Sequence, residues 1–134
     1  YELTHESEDV SHFSGKLRQL GHVDFLHAHR SYAKNMLQRA KECGILNNNF
    51  KVKVLAAEDL IGLKVQSSSN DATRYHQDLA DIEFLIGMNA ATLNMDLVKE
   101  YFSLFHREEE LQKILIKMQN AQSNWKKRVI GRRL

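Results

Sequence analysis

None of the 134 residues is proline. At an average usage of about 5%, a chain of this length would hold several. Every backbone N–H is therefore available as a donor and no pyrrolidine ring interrupts a helix, so long helices are the first expectation. The length suits one domain, typically roughly 100–150 residues. Such a chain buries about two-thirds of the surface that its unfolded form exposes. Cys43 is the single cysteine, which excludes an internal disulfide framework and leaves nothing to argue for an oxidising compartment. The longest apolar-rich runs, Val52–Leu55 and Ile82–Met88, fall far short of the ~20 residues a membrane span requires. No charged-then-apolar leader opens the sequence. A cytoplasmic, helix-rich protein with no membrane partner is expected.

The charge is unevenly placed. Lys and Arg total 19 against 17 Asp and Glu. Residues 125–134 contain Lys126, Lys127, Arg128, Arg132 and Arg133 and no acid, which leaves residues 1–124 at 14 against 17, a net of −3. The basic pI of 8.7 thus reports a tail. With Trp125 inside it, that tail could hold nucleic acid through phosphate contacts and stacking; as a solvated terminus it needs no partner at all.

Residues Tyr1–Thr4 and Val10–Phe13 alternate in the manner of short edge strands. Val23–Ala28 is a compact apolar run with Asp24 inside it, read as a strand. A carboxylate there is costly if buried alone, so Asp24 should face an opening, a metal or a fixed partner. Helical spacing over Ser31–Cys43 places Met36, Leu37 and Ala40 on one stripe, with Gly44 as the expected stop. Asn47–Asn49 reads as a polar loop and Phe50–Leu55 as a strand. Glu58 and Asp59 suit the first turn of a helix, with Leu60, Ile61, Leu63 and Val65 on its buried side. Ser67–Asp71 reads as a mobile break. A helix is expected over Thr73–Ile86, closed by Gly87, and one long final helix from Asn94, a good N-cap. That final stripe holds Leu97, Tyr101, Leu104, Phe105, Leu111, Ile114, Leu115 and Met118. Strands first and helices later point to an α+β fold. Its expected parts are a sheet-forming stretch with one helix over 1–55, a helical stretch of the same domain over 56–120, and the basic tail over 121–134.

Three constellations carry charge or ligand atoms. His27 and His29 would share a strand face and could ligate zinc or iron, but alternation sends Asp24 to the other face, so covering a strand end is the favoured role. Arg74, Asp78 and Asp81 lie four and three residues apart on one helical face, where Lys64 of the preceding helix could reach them. From spacing alone a structural salt-bridge network is favoured there over substrate binding. Arg107-Glu108-Glu109-Glu110 reads as helix support, with acids three and four residues before Lys113. The six glycines never cluster into a phosphate-cradling loop.

Val52-Lys53-Val54-Leu55-Ala56-Ala57-Glu58-Asp59-Leu60-Ile61-Gly62-Leu63-Lys64, followed by Arg74 and Asp78-Leu79-Ala80-Asp81-Ile82, resembles a segment of small bacterial nucleotidyltransferases of the abortive-infection type (AbiEii/AbiGii-toxin-like proteins and their uncharacterised relatives). Gly21-His22-Val23-Asp24-Phe25-Leu26 is similar to that family's strand bearing the third catalytic carboxylate. Met95-Asp96-Leu97-Val98 through Leu111 is similar to its terminal helix. The likeness runs over roughly residues 1–118. It implies a nucleotidyltransferase-like small mixed sheet packed against helices, with a helical C-terminal half. It further implies that the complete protein transfers a nucleotide from an NTP to an RNA or protein acceptor with Mg²⁺. Asp24 would be the remaining metal or general-base carboxylate. Lys64 and Arg74 would face the triphosphate or acceptor, and Asp78 and Asp81 would orient those cations.

The family's Gly-Ser turn and Asp-x-Asp strand are missing from this sequence. The resemblance therefore implies the C-terminal part of such a protein, lacking most of the two-metal clamp and inactive by itself. A sheet edge left uncovered would invite pairing, so a homodimer through that edge is the alternative expectation, as a non-catalytic interaction module with the basic tail free to bind RNA.

Overall fold

The computed structural model describes residues 1–8 and 10–130, with side chains described to residue 121. Of the expected basic tail over 121–134, every side chain from residue 122 on, Trp125 included, lies outside the described ones. The chain divides into two compact units, Tyr1–Leu55 and Ala56–Leu134. Among the described residues the architecture is α+β, with five strands in two small antiparallel sheets and five α-helices.

In the first unit, β1 (Glu2–Glu6), β2 (Val10–Ser14) and β3 (His22–Leu26) form an antiparallel sheet in that order. Val10–Ser14 is thus the central strand and not an edge. Register places Phe13 between Leu3 and Val23, and His12 opposite Asp24. A short 3-10 turn at Arg18–Leu20 returns the chain, and Gly21 follows it at φ 63°, a conformation that glycine adopts without a Cβ penalty. Helix α1 (Ser31–Arg39) buries Met36, whereas Leu37 of the expected stripe is half exposed.

The expected extension of α1 to Cys43 with a stop at Gly44 does not occur. Lys41–Ile45 is instead β4, paired antiparallel with β5 (Phe50–Val54). The hairpin loop explains the change. Leu46, Asn47 and Asn48 turn in the left-handed region at φ 49°, 57° and 65°, which asparagine tolerates better than most residues. Asn48 then folds over Gly44, where a Cβ would stand 1.8 Å from its Oδ1. Gly44 therefore makes room for a turn and stops no helix. The expected mixed sheet is also corrected, because every described pairing is antiparallel. Connections this short cannot make the crossover that a parallel pair requires.

In the second unit, α2 (Ala57–Asn70), α3 (Tyr75–Asn89), α4 (Met95–Leu104) and α5 (Glu108–Ile130) surround one core. Ile61, Val65, Ile82, Ile86, Val98, Phe102, Leu111 and Ile114 are buried together, flanked by Leu79, Leu85, Leu93, Met95, Phe105, Leu115 and Met118. Helix α2 packs on both α3 and α4. Close approach to α4 depends on Gly62, where a Cβ would lie 2.8 Å from the Tyr101 ring. Leu60 and Leu104, expected on buried stripes, face outward, as does Phe84.

Three boundaries differ from expectation. Ser67–Asn70 continues α2 as helix, because the Ser68 hydroxyl donates to the Lys64 carbonyl at 2.7 Å and that of Ser69 to the Val65 carbonyl at 2.7 Å. Gly87 lies inside α3, which runs two residues further to Asn89. The single long helix from Asn94 is two helices. Asn94 does cap α4, accepting from the N–H groups of Asp96 and Leu97 at 3.2 and 3.3 Å. The chain then breaks at His106, at φ 55°, before α5 begins.

No helix among the described residues is long and apolar enough to cross a membrane.

Candidate functional site

Helices α2 and α3 present one turn of each to the other, and that seam assembles the charged cluster. Lys64 lies in α2, Asp78 and Asp81 in α3, and Arg74 in the 3-10 turn Ala72–Arg74 that leads into α3. The Asp78 carboxylate is fully buried and divides its oxygens between two cations. Its Oδ1 accepts from Lys64 Nζ at 3.0 Å, and its Oδ2 from Arg74 Nε at 3.4 Å. Lys64 also reaches Asp81 Oδ2 at 2.5 Å. The acid is thus inaccessible, while the Lys64 and Arg74 side chains stay 21% and 53% exposed.

Electrostatics follow from this arrangement. Burial pushes the Asp78 carboxyl up, but hydrogen bonds from Lys64 and Ser67 and the Lys64 charge outweigh it and hold the group below the usual carboxylate range. Desolvation pulls the Lys64 ammonium down, yet its bonds to Asp81 and Asp78 keep it above the ordinary lysine value. Asp78 and Lys64 are therefore held as an ion pair at neutral pH. Two cations held by a buried acid are geometrically fixed, which is a favourable state for meeting an anion.

Asp24 stands apart from this cluster, in the first unit. Its side chain is 58% exposed, and Oδ1 pairs with His12 Nδ1 at 2.6 Å across the β2–β3 register. The expected fixed partner is therefore a histidine from the neighbouring strand. His5 lies beside His12, with ring centroids 5.5 Å apart. His27 and His29 lie just past β3 as stacked rings 6.0 Å apart. His27 Nε2 shares a hydrogen bond of 2.9 Å with Ser11 Oγ, and His29 bonds the Glu8 carbonyl. No group of three or more His, Cys, Asp or Glu among the described residues is placed to hold a metal ion. One exposed carboxylate tied to an imidazole is a poor fit to Mg²⁺ in two-metal transfer chemistry, which draws on several converging acids.

Sequence reasoning missed the residue that organises the second unit. Arg107, read as ordinary helix support, donates from Nη1 to the Val65 carbonyl at 3.0 Å, Ser68 Oγ at 2.7 Å and Ser69 Oγ at 3.0 Å. Its Nε donates to Glu110 Oε2 at 2.6 Å, and Nη2, buried and without an aligned hydrogen-bond acceptor, forms an ion pair with that same oxygen. The guanidinium also lies 5.5 Å from the centre of the Tyr75 ring, and Tyr75 donates its hydroxyl to Glu110. That bond, with burial added, raises the Tyr75 pKa above its ordinary value. The signal available in the sequence was Arg107 followed three residues later by Glu110; the serines that complete the set sit 38 and 39 residues away. A shallow concavity beside this arginine is lined by His106, Arg107, Glu108, Glu109, Glu110 and Lys113. Its acid-rich rim and internally engaged arginine make it a poor anion site.

Two acids at the start of α2 also do more than favour its dipole. Glu58 accepts from the Asn94 backbone N–H at 2.6 Å, and buried Asp59 accepts from the Tyr101 hydroxyl at 2.6 Å. Both tie α2 to α4. Comparison of the chain with protein-family models, with curated proteins and with solved structures finds no match.

Proposed function

We propose that this chain is the C-terminal part of a nucleotidyltransferase-like protein whose complete form transfers a nucleotide from an NTP to an RNA or protein acceptor with Mg²⁺. In this reading Lys64 and Arg74 meet the triphosphate or the acceptor, and Asp78 and Asp81 orient them. The supporting observation is the division of the buried Asp78 carboxylate between Lys64 and Arg74, which fixes two partly exposed cations side by side. Asp24 contributes one carboxylate, too few for in-line transfer, so the chain by itself is inactive.

Titration with ATP and Mg²⁺, followed by amide NMR, tests the assignment. Weak, saturable shifts confined to residues 64–81 are expected, reduced by Arg74→Gln, with no label passing from an α-labelled NTP to RNA or protein. Absence of shifts in that segment overturns the triphosphate role. Tight metal-dependent binding or label transfer overturns the inactive assignment.

A second reading, a non-catalytic interaction module, draws support from the first unit. On the three-stranded sheet, β3 is an edge, and its Val23, Phe25 and Leu26 are 36%, 55% and 70% exposed. An unpaired apolar edge favours strand addition by a second copy. Sedimentation velocity should then show a dimer that Val23→Lys disperses; monomer alone at high concentration excludes this reading.

A further inference from the structure

Lys64 and Arg74 meet Asp78 and Asp81 with formal charges that sum to zero. Asp71, held by the Thr73 backbone N–H at 2.9 Å and the Thr73 hydroxyl at 2.6 Å, lies within electrostatic reach of Arg74 and Asp78 and adds a negative charge. A cluster with no net positive charge gives a polyanion little attraction. Two of the three Lys64 ammonium protons are also committed, to Asp78 at 3.0 Å and to Asp81 at 2.5 Å. A phosphate that holds Lys64 by more than one proton must take one of these from an acid.

The two acids differ in their ability to yield. Asp78 is fully buried, between Lys64, Arg74 and the Ser67 hydroxyl. Withdrawing it would leave buried cations uncompensated, which is strongly unfavourable. Asp81 lies one turn further along α3 with its side chain 43% exposed, so a change of rotamer carries it into water. The pair it breaks is of the weak, partly exposed kind. With Asp81 gone, Asp78 still fixes both cations, one on each oxygen. The cluster then gains a positive charge and Lys64 recovers a donor. A polyphosphate that takes that donor and reaches Arg74 as well makes two charge-assisted contacts in place of one.

We propose that Asp81 is a displaceable stand-in for phosphate, holding the Lys64 ammonium until a polyphosphate takes its place. This rests on the triphosphate reading and gives Asp81 a duty beyond orienting Lys64. The two duties predict opposite signs. If Asp81 only orients the lysine, its loss weakens anion binding; if it competes, its loss tightens it.

Metal-free inorganic tripolyphosphate, titrated at fixed ionic strength into the full chain and followed by NMR, separates them. Asp81→Asn should bind about three- to fivefold more tightly than the parent, as expected for release of a partly exposed pair. Asp71→Asn, which removes a nearby charge whose carboxylate is engaged by Thr73, should gain under about twofold, from screened charge alone. In the parent, the side-chain carboxyl carbon of Asp81 should shift at saturation by more than that of Asp78.

Unchanged or weaker binding by Asp81→Asn, with parent binding still reduced by Arg74→Gln, overturns the displacement and leaves the triphosphate reading standing. An equal gain from Asp71→Asn overturns it in the same way. Binding by neither the parent nor Asp81→Asn overturns the triphosphate reading, and this inference with it. Should Asp81→Asn lose its fold by circular dichroism, the parent decides: an Asp81 carboxyl carbon that stays fixed at saturation overturns the displacement.

Discussion

Among the described residues, Tyr1–Leu55 buries one large apolar side chain, Met36, whereas the helical unit that follows buries nine, from Ile61 to Ile114. The two units are built on different economies of contact. Helices α2 to α5 enclose their apolar stripes from several sides, so Phe102 and Ile82 have no exposed surface at all. The strands of the first unit form single layers of three and two. Ladder hydrogen bonds and polar pairs such as His12–Asp24 order them, and apolar faces are left open. Stability per residue should therefore be concentrated in the second unit, since apolar area removed from water is the dominant favourable contribution.

The largest test of that contrast is a pair of matched truncations. Phe102→Ala should cost about 3–5 kcal/mol, and Phe25→Ala, which is 55% exposed and meets Phe13 edge-on, under about 1 kcal/mol. Urea unfolding gives both values, and hydrogen exchange locates them. Equal costs would break the comparison by showing that Phe25 is covered in solution.

Next in size, Asp78→Asn should destabilise by about 2–4 kcal/mol, because it removes the buried charge shared by Lys64 and Arg74 and leaves Lys64 with Asp81 alone. Asp24→Asn in the first unit should stay within about 1 kcal/mol, its pair being exposed. The same difference appears against pH. Asp78 is held below its unfolded value of about 3.9, so its contribution is complete above that pH and disappears as acid carries the pH through the lower folded value. Lys64 is raised, so its contribution is complete below about pH 10.4 and is lost as the pH climbs past the higher folded value. Thermal melts from pH 2 to 7 should show the Asp78→Asn variant losing less stability in acid than the parent.

Gly62→Ala should cost about 1–3 kcal/mol by driving a methyl group into the Tyr101 ring, an overpacking that α2 and α4 can relieve only by separating. The smallest expected effect, about 1 kcal/mol, belongs to Asn94→Ala, which removes the α4 cap. Amide exchange should rise at Asp96 and Leu97 and leave the first unit unchanged.

Charge spacing and helix starts were legible in the sequence. Asn94 caps where a cap was expected, Glu58 and Asp59 open α2, and the spacing of Arg74, Asp78 and Asp81 put Lys64 within reach. Punctuation was less legible, because glycine and serine signals depend on what lies nearby in space. Gly44 is spent on the Asn48 side chain and Gly87 on an approach by Met118. Ser68 and Ser69 stay helical because their hydroxyls bond backward and Arg107 bonds both. No local window contains that arginine. Its own position was misjudged because α4 and α5 share one apolar rhythm, and only the left-handed turn at His106 separates them. The role of the charged cluster was not legible either, since a structural pair and an anion site use the same residues at the same spacing.

Arg107 also imposes an order in time. The last turn of α2 takes its final side-chain bonds from a residue 39 positions after Ser68. At about 5–20 residues per second of synthesis, that turn waits roughly 2–8 s for its arginine. During that interval Ser68 and Ser69 lack their bonds to Arg107, and a nascent chain halted before residue 107 should be cut there by protease far faster than one halted beyond it.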